Sequence, residues 1–218
     1  MMNIQRVLVA TDFSPAGQRA VQAAADWARR ETAALRVVHV APSARRLAGL
    51  WRSSMRNVHA VHRQAADALR RVAEAIDPDR QLDLSTGLIT GSAARQIARA
   101  AVEYRANILV VGARGEHGTT TGPPGLGGTS TKLVGMTPVA LLLSRHAPTL
   151  IPNVLAAVDL SSVSAAVLQW ASRFAAGGTL HVFHAYDVPF ASRLKAYGIA
   201  AGAHDVYSKD EHEQNNMQ

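Results

Sequence analysis

The stretch that most constrains the fold is Ile108 to Leu143, which opens on the apolar run Ile108–Val111 and then breaks into Gly112-Ala113-Arg114-Gly115 and a glycine-rich loop. A continuous apolar run of this length is the mark of a strand buried on both faces, as in a parallel sheet. The chain regains helical character from Thr129 to Met136, so the segment reads as strand, glycine loop, helix. In such a unit glycines let backbone approach a ligand closely, and open amide N–H groups form a concavity for anions. Phosphate is the guest this chemistry suits. No Gly-Lys-Ser/Thr closes the loop and no GxGxxG directly follows the strand, so neither common phosphate motif is present.

Upstream, Arg6–Phe13 is a valine-rich run expected to form a buried strand ending at Asp12. Ser14-Pro15 supplies a capping hydroxyl and a proline suited to the first helical position, and the helix is expected to run to about Arg30. Leu35–Val40 is the second strand, reached by so short a crossover that the pair must be a right-handed parallel βαβ unit. After a loop bearing Pro42 and a loose arginine cluster at Arg45, Arg46, Arg52 and Arg56, apolar positions recur at helical spacing from Asn57 to Ile76. Leu82–Ile89 reads as a third strand, Ala93–Tyr104 as a helix, Ile108–Gly112 as the fourth strand and Val139–Ser144 as the fifth. Strands alternating with helices predict a doubly wound, five-stranded parallel α/β sheet over residues 1–146, whose ligands lie beyond the carboxyl ends of the strands.

The remainder repeats the beginning. VLVATDFSPAGQRAVQAAADWARR from Val7 reappears as VLAAVDLSSVSAAVLQWASRFA from Val154, matching Asp12 with Asp159 and Ser14 with Ser161. LRVVHVAP from Leu35 is matched by LHVFHAYDVP from Leu180. Residues 150–218 therefore read as a partial second copy: strand, helix, strand, the start of a further helix and a polar end, without a glycine loop. A half domain of this kind is expected to leave an apolar helix face uncovered at Val167, Leu168 and Trp170.

Gly112, two residues, Gly115, a loop, and Gly128-Thr129-Ser130 at a helix start together resemble the nucleotide signature of the universal stress protein family. The family pattern spaces its second glycine nine residues from a Gly-Ser or Gly-Thr pair. Here twelve residues separate Gly115 from Gly128, which places a local insertion around Gly122-Pro123-Pro124. The resemblance extends over nearly the whole chain, tandem copies being a familiar form of the family. It implies an adenine nucleotide, ATP above all, with Mg2+ as an optional companion. It assigns Ala10, Thr11, Asp12 and Val40 to the base and ribose, Gly112 and Gly115 to the ribose and phosphates, and Val111 to the nucleotide site at large. Gly128, Thr129 and Ser130 would hold the phosphates, and Arg114 would reach them as a charged donor. A homodimer, joined through the fifth strand, and a further protein partner are likewise implied.

The chain has no cysteine, which excludes disulfides and thiolate chemistry. Its apolar runs are too short to span a bilayer and its N-terminus lacks a signal-like apolar core, so a cytoplasmic protein without a membrane partner is expected. The net charge of +7 would admit nucleic acid, but the arginines are scattered and aromatic residues are only 5%, which argues for solvated surface instead. His59 and His62 stand three apart on a helix without a third ligand nearby, a weak metal signal. No nucleophile with an adjacent base and no Walker lysine appears, and the glycine segment holds no paired carboxylates. A nucleotide-responsive binding module, not a fast enzyme, is therefore expected. The alternatives are an interaction module that has lost nucleotide binding, and an adenine-nucleotide enzyme on a related fold.

Overall fold

The computed structural model describes residues 3–43, 55–115, 126–145, 151, 153–175 and 177–185, the first four of residues 55–76 by backbone alone. Two compact units emerge, Met1–Thr149 and Leu150–Gln218. The arginines at 45, 46 and 52, the Gly122–Gly125 insertion and the polar C-terminal end lie outside the described residues.

In the first unit the order is β1 (Arg6–Ala10), α1 (Pro15–Glu31), β2 (Ala34–Ala41), α2 (Met55–Ile76), β3 (Leu84–Thr90), α3 (Ala93–Glu103), β4 (Ile108–Gly112), α4 (Gly128–Val134) and β5 (Ala140–Ser144). The five strands form one sheet in the order β3-β2-β1-β4-β5, every pair parallel. Leu8 and Leu109 are fully buried, as are Val7, Val9, Ile108 and Val110, so the two central strands have no polar face. Alternation splits these side chains between two layers. Leu8, Ala10, Val38, Leu109 and Val111 pack with Ala94, Ile97, Ala98 and Ala101 of α3 and Leu133 of α4. The opposite face is covered by α1 and α2. Each fully buried aliphatic side chain stabilises the fold by about 1.5–3 kcal/mol, which is why the apolar runs outweigh any local preference of their residues.

Two strand ends differ from the sequence expectation by two residues, each because side chains take over the backbone amides. β1 stops at Ala10, two residues before Asp12, and Thr11–Ser14 form a side-chain-bonded turn in which Phe13 adopts the left-handed φ of 66°. β3 starts at Leu84, two residues later than expected, because Asp77 at the end of α2 accepts the amides of Gln81 (2.8 Å) and Leu82 (3.0 Å). Those amides are lost to a ladder.

The second unit contains β6 (Asn153–Val158), α5 (Ser164–Ala175) and β7 (Thr179–His184), with β6 and β7 parallel. Val154 pairs with Leu180 as Val7 pairs with Leu35, so the repeated sequences share one strand register. Phe13 and Leu160, at corresponding positions, both take positive φ (66° and 60°). The expected bare helix face is corrected: Val167, Leu168 and Trp170 are half-buried, Trp170 lying against Phe174 at 6.3 Å. Exposed apolar residues lie instead on the strands, at Leu155 (68% exposed), Val182 (57%) and Phe183 (53%), and in the turn before α5, at Leu160 and Val163. Leu155 and Phe183 correspond to Leu8 and Val38, which in the first unit are sealed by α3 and α4. The second unit has only one described helix to cover its sheet.

Candidate functional site at the strand carboxyl ends

In this topology β2 lies on one side of β1 and β4 on the other, so a crevice opens beyond the carboxyl ends of β1 and β4. A cavity of about 220 Å³ lies there. All eleven residues singled out from the sequence line it: Ala10, Thr11, Asp12, Val40, Val111, Gly112, Arg114, Gly115, Gly128, Thr129 and Ser130. Gly17, His39, Ala93, Ile97 and Gly127 complete the lining and went unnoticed in the sequence. Gly17 follows the capping serine by three, a position where a close approach is usual; His39 carried no signal beyond being a polar residue beside a strand end.

The β1–α1 turn is held by side chains. Ser14 caps α1 by accepting the Gly17 amide at 3.1 Å, and both its backbone N–H (3.1 Å) and its hydroxyl (2.6 Å) donate to Asp12 Oδ1. Thr11 is 5% exposed; its Oγ1 accepts the Phe13 amide at 3.0 Å, and its own amide donates to Val38 O at 2.9 Å. Asp12 therefore spends one carboxylate oxygen on the turn. Asp159 does the same in the second unit, accepting Ser161 N and Ser164 Oγ at 3.0 Å each. There, hydrogen bonds from the Ser161 side chain, the Ser161 backbone and Ser164 lower the Asp159 carboxyl from its ordinary 3.8 to about 2.

The glycines have neighbours of their own. A Cβ on Gly112 would stand 3.0 Å from the Ala16 backbone, and one on Gly115 only 2.3 Å from Asp12 Oδ2. One on Gly17 would meet Asp12 Oδ1 at 2.7 Å and Thr11 Oγ1 at 2.8 Å. Close packing of β4, its following segment and α1 thus already calls for glycine, before any ligand is considered. Gly127 N donates to Ala113 O at 2.7 Å, and Ala113 N to Ser144 O at 2.8 Å. Gly115 and the start of α4 accordingly stand beside the same strand end.

Ser130 is 4% exposed and its hydroxyl donates to Gly112 O at 2.9 Å, so it ties α4 to the strand end. Gly127 caps α4 without a side chain, and Thr129 and Arg114 are exposed. His39 is half-buried, with Nδ1 2.8 Å from Thr11 O and its ring stacked on Phe13 at 4.4 Å. Apart from histidine, the lining carries one carboxylate, Asp12, and one guanidinium, Arg114. Among the described residues no group of three or more His, Asp or Glu could hold a metal. His59 and His62 instead border a surface recess with Arg63 and Ala66, with His62 Nε2 buried and unpartnered.

The model of the universal stress protein family matches residues 3–145, the whole of the five-stranded sheet. The chain belongs to the universal stress protein family. The match stops short of the second unit. Comparison with curated proteins gave no match. Among solved structures, universal stress protein UspA from Lactobacillus plantarum is 20% identical, with a TM-score of 0.54 over 66% of this chain and 100% of that one. A universal stress protein in complex with cAMP is 21% identical, with a TM-score of 0.53 over 66% and 99%. A family protein from Burkholderia pseudomallei is 20% identical, with a TM-score of 0.50 over 66% and 98%. These likenesses establish the fold. Among the described residues no helix is long and apolar enough to cross a membrane.

Proposed function

We propose that this universal stress protein binds an adenine nucleotide, ATP foremost, in the β1–β4 crevice and acts as a nucleotide-responsive module, not a fast enzyme. The observation that carries the reading is the convergence of three distant stretches, around residues 10–12, 40 and 111–130, on one cavity at the switch point. Small residues leave room for the base and ribose, and uncapped backbone at Gly128–Ser130 with the exposed Arg114 offers donors to phosphate. The family structure solved with cAMP agrees with this class of ligand. Asp12 alone does not build a metal site, so any Mg2+ would be held chiefly by the phosphates.

Affinity in the millimolar to micromolar range, roughly 4–8 kcal/mol, is expected. Calorimetric titration with ATP, ADP and AMP tests it, together with mass spectrometry of nucleotide released on denaturing the purified protein. No heat and no released nucleotide would replace it with the second reading, an interaction module without nucleotide. The protein contacts that already account for Gly112 and Gly115 favour that second reading.

A further inference from the structure

Resting on the adenine-nucleotide reading, we infer that His39 selects the base, its Nε2 accepting a hydrogen bond from the exocyclic amine of adenine. A carbonyl oxygen can only accept, so the 2.8 Å contact between Nδ1 and Thr11 O requires the proton on Nδ1. In the neutral ring Nε2 is then a bare acceptor. The Phe13 stack at 4.4 Å occupies one ring face and fixes the ring's orientation. His39 lines the cavity, and with Nδ1 and that face engaged its other face and its Nε2 edge are the parts left for a ligand. His39 also stands beside Val40 and Thr11, on the side of the cavity assigned to the base.

His184 repeats the Nδ1 contact, to Val158 O at 2.9 Å, in the unit that has no glycine loop. The contact is thus a staple of the βαβ turn; in the first unit the same staple leaves Nε2 as a fixed acceptor on a residue that lines the cavity. An acceptor so placed favours a 6-amino purine, whereas a 6-oxo purine sets oxygen against nitrogen lone pair and leaves both unsatisfied.

The test compares ATP with inosine triphosphate, which keeps the ribose and phosphates and changes only the base edge, at about pH 8 where histidine side chains are ordinarily neutral. The native protein should bind ATP about tenfold more tightly, the worth of one hydrogen bond gained and one mismatch avoided. His39→Asn keeps an amide donor for Thr11 O but has nothing at Nε2, and should bring the ratio to about one. His39→Phe, which keeps the ring stack, should do the same if the asparagine variant folds poorly. Equal binding of both nucleotides by the native protein would overturn the inference while leaving the nucleotide reading intact. A ratio that persists in the variants would do so too, reducing His39 to the staple. Failure of the native protein to bind either nucleotide would remove the reading beneath it.

Discussion

Asp12 Oδ2 occupies the space that a side chain on Gly115 would need: a Cβ there would stand 2.3 Å from the oxygen. The carboxylate cannot swing aside freely, because Oδ1 is held by the Ser14 amide and hydroxyl. Gly115→Ala should therefore destabilise the protein by about 1–2 kcal/mol, the scale of a small steric intrusion against a pinned neighbour. In Asp12→Ala the same glycine change should be nearly silent. A double-mutant cycle by urea denaturation reads the coupling, and additive losses would refute it.

Gly17→Ala reverses a familiar sign. In an ordinary helix the change stabilises by about 1 kcal/mol. Here the new Cβ would meet Asp12 Oδ1 at 2.7 Å and Thr11 Oγ1 at 2.8 Å, displacing the acceptor of two Ser14 hydrogen bonds. A net loss of about 1–2 kcal/mol is expected. A higher melting temperature in the variant would contradict this.

The Asp159 carboxyl is held low by donors to its charged form, led by the Ser161 side chain, so the folded turn binds the proton less readily than the unfolded chain. Its contribution is present above the ordinary 3.8 and is lost as pH falls through about 2. A carboxyl-carbon NMR titration should place the midpoint near 2 and shift it upward in Ser161→Ala. A native midpoint at the ordinary value would disprove the assignment.

β5 pairs only with β4 and ends the sheet on that side, so its outer edge carries ladder groups without a strand partner in the described sheet. Joining two such edges about a two-fold axis is the simplest way to cover them. Light scattering should give about twice the 23.2 kDa chain mass. Replacing Leu142, a central β5 residue, by proline should shift the protein toward monomer if that edge is the joint.

Hydrophobic patterning and chain connectivity made much of this legible from the residues alone. Ile108–Val111 announced a doubly buried strand and Ser14-Pro15 a helix start. All these signals are local: they depend on which neighbours along the chain are apolar, branched or able to cap. What only the tertiary structure decided are contacts between residues far apart in sequence. Gly115 and Asp12 are remote along the chain, and nothing in either stretch says that a carboxylate fills the missing side chain's place. Nor could sequence tell that Ser130 turns its hydroxyl to Gly112 O or that His39 binds Thr11 O and stacks on Phe13. The element types follow from short-range chemistry; which distant strands lie side by side, and which hydrogen-bonding groups are already spent, follow only from the packing of α1, β2 and α4 around the same strand ends.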